Sequence, residues 1–477
     1  MERVLTNAQM READAYTINI KGVPSATLMR RAGTAIADEA KKAAKSLNTS
    51  DILVVCGTGN NGGDGYVCAE ELRKRSFNVK VYAAEGDLSP DCAREKNCYK
   101  GGYSRDITGA IIIDCLFGTG LSREICGIYR QIIEKINLSG AYVISADIPS
   151  GLNGDNGQIM GCAVKADATI AVAEYKMGMF LGEGMDLCGK LIKKDVGIIC
   201  PENDYAFLNC PQYISEFYPK RRRNSHKGTY GSANLIAGSD KYIGAAALAA
   251  EGALKSGCGY VKVTSSEKVI GCLAAKLPQV IYSNEVFLNS EALAVGSGCG
   301  ATERLYETLR RLLSDYEGKL LIDADGLNAL SKFGVQILKE KKCEVLITPH
   351  VKEFSRLTGN SVEQILADPL SLSQNFAAEF GVTVLLKGAA SIITDGKKTV
   401  INTYGTTALS KGGSGDILSG FACGTMARGL SPFDAGVCAA YALGAAAEIS
   451  SEEKTDYCAT AKDVIKNLHI AIKRLTD

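Results

Sequence analysis

Apolar residues follow two alternating periods along this chain. Short apolar, β-branched runs at 52–56, 79–83, 110–115, 142–147 and 168–173 read as strands of a sheet buried on both faces. Between them, 26–46, 64–76 and 125–137 read as amphipathic helices. Such alternation predicts a parallel sheet with helices on both sides. The pattern lapses around 200–226, where Pro201, Pro211 and Pro219 flank irregular sequence and Lys220-Arg221-Arg222-Arg223 follows. That basic run fits a solvated linker better than a nucleic-acid arm. After Lys227 the alternation resumes, with strands predicted at 232–237, 259–264, 292–296, 319–323, 344–347 and 382–386 and helices at 244–256 and 416–428. No motif recurs at a fixed period, so two different α/β domains, 1–212 and 220–477, fit better than a duplication.

Composition narrows the possibilities. The chain has 54 basic and 53 acidic residues and a net charge of +1, which provides no long-range field for nucleic acid or an anionic membrane. No run of about 18 apolar residues is present to span a bilayer, and Met1–Asn7 lacks a signal-peptide core. The 17 cysteines are odd in number, include no Cys-x-x-Cys pair, and in part sit inside strand-like runs (Cys56, Cys115). They read as reduced thiols of a cytoplasmic protein. With only three histidines, His226, His350 and His469, a His-rich zinc site is excluded, and no Gly-x-Ser-x-Gly elbow supports Ser–His hydrolysis. The chemistry must rest on carboxylates, backbone amides and bound ions.

In the first half, the strand at 52–56 leads into Gly57-Thr58-Gly59-Asn60-Asn61-Gly62-Gly63-Asp64-Gly65. Gly57, Gly59 and Gly62 match G-x-G-x-x-G, and Glu85 after the next strand would suit a ribose hydroxyl; a plain dinucleotide fingerprint or a structural turn explains this much. Two amides and a carboxylate in the same segment point further, to a polar ligand and to oxygen coordination of a hard cation. Asp114–Leu121 and Asp147–Gly151 form two more acidic, glycine-rich strand ends at the same carboxyl edge, where open α/β sheets bind ligands.

The combination of Asn-Asn-Gly-Gly-Asp, Asp-x-x-Phe-Gly-Thr-Gly and Asp-Ile-Pro-Ser-Gly resembles the NAD(P)H-hydrate epimerase family over about residues 10–200, with Leu28-Met29-x-x-Ala32-Gly33 on the leading helix. The resemblance implies a Rossmann-like three-layer domain. It implies hydrate contacts from Asn60, Asn61, Gly62, Gly63 and Asp64, from Gly118, Thr119, Gly120, Leu121, Ser122, Arg123 and Glu124, and from Asp147. It also implies a potassium ion held by Asn61, Asp114 and Ser150. Inverting the hydroxyl-bearing carbon of the hydrated nicotinamide requires proton transfer, for which Asp147 is the expected acid/base group. The alternative is that Asp147 only caps its loop.

The second half carries Lys411-Gly412-Gly413-Ser414-Gly415-Asp416 ahead of a small-residue helix. Backbone amides at that helix start converge on an anion, and Asp416 stands where it could take a proton from a hydroxyl facing a phosphate. Further motifs are Lys387-Gly388-Ala389-Ala390-Ser391, Asp323-Ala324-Asp325-Gly326-Leu327-Asn328, Thr348-Pro349-His350-x-x-Glu353, His226-Lys227-Gly228-x-x-Gly231, Gly244-Ala245-Ala246 and Gly296-Ser297-Gly298-Cys299-Gly300. Together they resemble the ADP- or ATP-dependent NAD(P)H-hydrate dehydratase family over about residues 224–470.

That resemblance implies a ribokinase-like α/β domain. Hydrate contacts are implied at Ala245, Gly298, Gly300, His350 and Asp416, and nucleotide contacts at Lys387, Gly388, Ala389, Ala390, Ser391 and Gly415. ADP is the expected co-substrate, with ATP open, and magnesium is expected to accompany it. The approach Thr406-Thr407-Ala408-Leu409-Ser410-Lys411 departs from the Pro-Gly-Met-Ala-Thr-Gly-Gly-like segment of many relatives, while the glycine turn is intact. The whole chain is thus expected to be a bifunctional cytoplasmic enzyme and a homo-oligomer acting on hydrated NADH and NADPH, without nucleic-acid or membrane partners. The alternatives are a vitamin-precursor kinase with a silent ligand-binding domain, and a first half that serves only as a binding module.

Overall fold

The computed structural model describes residues 1–476. The chain forms two compact units: Arg3–Tyr205, and a second built from Met1–Glu2 and the chain from Ala206 onward.

In the first unit seven parallel strands lie in the order Gly102–Tyr103, Asn78–Ala83, Asp51–Cys56, Ile111–Cys115, Tyr142–Ala146, Ala168–Val172 and Lys190–Lys194. Both faces are covered. Ile52 and Val54 pack with Ile36, Ala37 and Ala40 of the helix Ser25–Ser46. Leu53 and Val55 pack with Ile132, Ile133 and Ile136 of the helix Gly127–Leu138. The chain runs outward from Asp51–Cys56 through Asn78–Ala83 and returns at Ile111–Cys115, so strand order reverses between the first and last of these. The crevice at such a reversal, beyond the carboxyl ends, is where open α/β sheets take ligands.

One boundary differs from the sequence expectation in a way that matters. The helix begins at Asn60, capped by Gly59, and runs to Lys74. Asn60–Asp64 therefore form its first turns instead of a loop ahead of it. Glycine normally weakens a helix, but here the backbone has no room for a side chain. A Cβ on Gly62 would lie 2.1 Å from the Gly57 carbonyl oxygen, and one on Gly57 would lie 2.0 Å from that of Leu116.

In the second unit the strand order is Ile281–Ser283, Tyr260–Thr264, Ser232–Ile236, Ala292–Val295, Lys319–Ile322, Glu344–Ile347, Thr383–Leu386, Ser391–Thr394, Thr399–Asn402 and Ala206–Leu208. It is parallel as far as Thr383–Leu386; the next two strands turn back antiparallel. Residues 206–212, assigned to the first half from the pattern, pack with the second, because Ala206–Leu208 pairs with Thr399–Ile401 and extends its sheet. Helices Ile243–Lys255 and Ser414–Ala427 meet almost backbone to backbone: a Cβ on Gly420 would lie 1.8 Å from the Ala249 carbonyl oxygen. Their small residues bring Ala245 and the glycine turn to the same edge of the sheet. Among the described residues no helix is long and apolar enough to cross a membrane.

Candidate functional site

The first unit gathers its carboxylates at the strand-order reversal. Asp147 follows the strand Tyr142–Ala146 with φ at 67°, a left-handed conformation that is uncommon for a residue with a Cβ and worth tracing to its cause. Its carboxylate forms an ion pair with Lys176, whose ammonium also donates to the Val172 carbonyl at 2.8 Å. The Lys176 side chain is 1% exposed, so the charge is held out of water by these two partners. A Cβ on Gly118 would stand 3.1 Å from Asp147 Oδ2 and 3.6 Å from the Asn61 side chain, which places the three segments together. Residues 119–124 continue from Gly118 as a half-exposed to exposed loop, and Asn60 accepts from Ser89 Oγ at 2.8 Å.

Two more carboxyls complete the cluster. Burial pushes the Asp64 carboxyl well above its usual range, and the charges of Asp147 and Asp14 add to this. Asp14, on the helix Asn7–Ala15, is pushed up to about 6, first by burial and then by Asp147, with Lys176 pulling the other way. Lys176 and Asp14 were not identified from sequence. The only available signal at Lys176 was a lone lysine beside an apolar run, and its partner lies 29 residues away.

Asp114 is fully buried and accepts from Ser150 Oγ at 2.6 Å, the Ser150 amide at 2.9 Å, Ser145 Oγ at 2.8 Å and the Leu116 amide at 3.2 Å. Burial raises its pKa, against the opposing pull of those donors. Asn61 is 8% exposed, and neither its Oδ1 nor its Nδ2 has a partner among the described residues. A buried amide left unsatisfied needs an explanation. With Asp114 and Ser150 it makes an all-oxygen donor set of mixed charge, which fits a weakly hydrated monovalent cation.

The second unit centres on a partly buried cation. Lys387 Nζ lies 2.9 Å from Asp323 Oδ1 and 3.9 Å from Glu353 Oε2. Burial works against its charge, but Asp323 and Glu353 outweigh that and hold its pKa above the usual value. Lys387 opens the turn between Thr383–Leu386 and Ser391–Thr394, with Gly388 and Ala389 exposed. A Cβ on Gly415 would lie 3.6 Å from Lys387 Nζ, so the fold brings Lys387 and Gly415 together. Gly413, at φ 99°, caps the helix Ser414–Ala427 and leaves its first amides free of a side-chain cap. Asp416 in that first turn is pushed up to about 6, mainly by burial and next by Asp323, while a hydrogen bond from Ser297 and the charge of Lys387 oppose this. A Cβ on Gly298 would lie 2.8 Å from Ala245 Cβ, which brings those two residues into contact range.

His350 is half exposed. Its Nδ1 accepts from the Glu353 amide at 3.1 Å, and the His350 amide donates to Glu353 Oε2 at 2.9 Å, capping the helix Val351–Thr358. The approach that departs from the familiar pattern has its own anchor: Lys411 Nζ donates to the carbonyls of Asp456 at 2.7 Å and Tyr457 at 3.0 Å.

Known proteins match this arrangement unit by unit. Residues 25–178 match the family described as the YjeF-related protein N-terminus, and residues 233–469 match the NAD(P)H-hydrate dehydratase family. Over nearly the whole chain, the Bifunctional NAD(P)H-hydrate repair enzyme Nnr of Thermofilum pendens is 32% identical, covering 96% of this chain and 93% of that protein. The chain belongs to the bifunctional NAD(P)H-hydrate repair enzyme family. The family member from Salinibacter ruber is also 32% identical, over 93% of this chain and 91% of its own length. Among solved structures, the ADP/ATP-dependent NAD(P)H-hydrate dehydratase of Bacillus subtilis, co-crystallised with ATP and Mg2+, superposes with a TM-score of 0.52 at 30% identity, covering 57% of this chain and 99% of that one. A ribokinase-like superfamily protein from Enterococcus faecalis superposes at 0.51 with 25% identity, over 58% of this chain and 99% of its own. Family membership and these superpositions establish both fold expectations: a Rossmann-like first unit and a ribokinase-like second one.

Proposed function

We propose that this protein repairs hydrated NADH and NADPH, interconverting the R and S hydrates in its first unit and dehydrating the S hydrate with a nucleotide in its second. The observation that carries this reading is the presence in one chain of two chemically complete sites: Asn61, Asp114, Ser150, Asp147 and Lys176 in one unit, and Lys387, Gly413–Gly415 and Asp416 in the other. A vitamin-precursor kinase with a silent first domain would have no use for the first set.

Epimerisation needs a proton delivered to a departing hydroxyl and recovered when water re-adds to the other face. Asp64, whose pKa burial raises well above the usual carboxylate range, would deliver it. Asp147, charged opposite Lys176, accepts a proton from the returning water. Asn61, Asp114 and Ser150 would hold a potassium ion, which would supply fixed positive charge beside the substrate.

In the second unit Asp416 removes the proton of the hydrate hydroxyl, whose oxygen attacks the β-phosphorus of ADP and displaces AMP. Amides of the Gly413–Gly415 turn, which no side chain caps, stabilise the charge that develops on the phosphoryl oxygens. Phosphate then leaves with its bonding electrons as the ring nitrogen lone pair forms the new π bond, and loss of a ring proton restores the dihydronicotinamide. A magnesium ion would arrive with the nucleotide and offset the charge of its phosphates. Unpaired thiols throughout the chain suit the cytoplasm as its compartment.

Single-unit variants test the assignment. Asp416→Asn should lose dehydration by at least about 100-fold and still interconvert the hydrates on a chiral separation; Asp147→Asn should do the reverse. Loss of both activities in both folded variants would contradict two separate sites.

A further inference from the structure

The segment Asp323-Ala324-Asp325 belongs to neither set of substrate contacts, yet its backbone is strained. It joins the strand Lys319–Ile322 to the helix Asp325–Phe333. Ala324 stands at φ 47°, ψ −115°, a conformation that a Cβ opposes and that persists only where the surroundings impose it. Around it the Gly326 amide donates to the Asp323 carbonyl at 2.9 Å, closing a tight turn. The turn interlocks with the loop before it, since a Cβ on Gly296 would lie 1.9 Å from the Asp323 carbonyl oxygen.

The consequence is that two neighbouring carboxylates reach different loops. Asp323, 2% exposed, accepts from Lys387 Nζ through Oδ1 at 2.9 Å and from Ser419 Oγ through Oδ2 at 2.7 Å. It thereby ties the nucleotide turn to the helix that starts at the glycine cap. Asp325 Oδ2 accepts from the Gly300 amide at 2.7 Å and fixes the 298–300 loop on the hydrate side. A Cβ on Gly415 would lie 3.8 Å from Asp323 Oδ2, which places the turn beside the start of the helix that carries Asp416.

We propose that Asp323-Ala324-Asp325 is a positioning bracket that sets the nucleotide subsite and the hydrate subsite at a fixed separation across Asp416. Asp323 governs nucleotide binding through Lys387 and Ser419. Asp325 governs hydrate binding through the 298–300 loop. The strained Ala324 keeps the two arms divergent. This assignment rests on the dehydratase reading of the second unit.

The test is steady-state dehydration by the full-length chain, with KM measured separately for S-NADH hydrate and for ADP with magnesium. Asp325→Ala should raise the hydrate KM about tenfold and leave the ADP KM within about twofold. Asp325→Asn, which keeps an oxygen acceptor for the Gly300 amide, should restore most of the loss. Asp323→Asn should instead raise the ADP KM by about tenfold. Because Asp323 is buried and its variant could fail to fold, Ala324→Gly provides the second arm: it keeps both carboxylates, relieves the backbone, and should lower kcat several-fold in a folded protein. Equal movement of both KM values in Asp325→Ala, or unchanged kinetics in Ala324→Gly together with Asp325→Ala, would overturn the bracket. A wild-type chain that performs no dehydration would instead overturn the functional reading, and the bracket with it.

Discussion

Asp416 holds a protonation balance that its role requires and its surroundings resist. Burial and the neighbouring Asp323 raise its pKa to about 6, so the fold favours its neutral form. The stability gained from that preference is fully present below the unfolded carboxylate range and is lost as pH rises through about 6, where the buried group must ionise. Asp416→Asn should therefore unfold at a higher temperature than wild type at pH 7.5, by about 1–2 kcal/mol after allowing for partial solvent screening, while losing dehydration. The same balance fixes the pH profile: a base must be ionised, so kcat for dehydration should fall on acidification through about pH 6, and a rate rising toward pH 5 would contradict it. In the first unit, Lys176→Met should reduce epimerisation by about 100-fold or more, since Asp147 would lose the charge that balances it. Asp147, Asp114 and Asp416 were legible because each stands at the edge of a glycine-rich segment. Lys176 and Asp14 were not, because their partners meet them only through the fold.

At the scale of elements, the strands predicted from apolar runs match to within a residue because those runs are continuous and bounded by glycine or polar residues, whereas the parallel strands Gly102–Tyr103, Lys190–Lys194, Ala206–Leu208 and Ile281–Ser283, short or polar, were missed. The strand Ser391–Thr394 and its neighbour Thr399–Asn402 were missed; they are short and separated by an Asp395-Gly396 turn that signals a hairpin only once the flanking runs are taken as strands. The helix Pro432–Cys458 was missed for the opposite reason: buried around most of its first half and rich in alanine, it presents no amphipathic stripe. The early start of Asn60–Lys74 escaped notice because five glycines in the nine residues 57–65 normally argue against a helix. Close backbone packing overrides that preference, and Gly62→Ala should show by how much. With the Gly57 carbonyl 2.1 Å from the new Cβ, thermal unfolding should register a loss of about 1–3 kcal/mol, and epimerisation should fall with the displaced Asn61.

For the whole molecule, the fusion has a chemical logic. A dehydratase that consumes one epimer leaves the other behind, and an epimerase in the same chain returns it to use. Relatives that match across nearly the full length are named bifunctional NAD(P)H-hydrate repair enzymes. The division of labour is therefore the central claim, and one measurement addresses it. An equal mixture of R and S NADH hydrates, incubated with the full-length chain, magnesium, potassium and either ADP, ATP or no nucleotide, is followed by the return of reduced-nicotinamide absorbance. Recovery of essentially all the absorbance, dependent on nucleotide, is the predicted result; recovery that stops at about half would leave the first unit without its epimerase role, and none at all would contradict both.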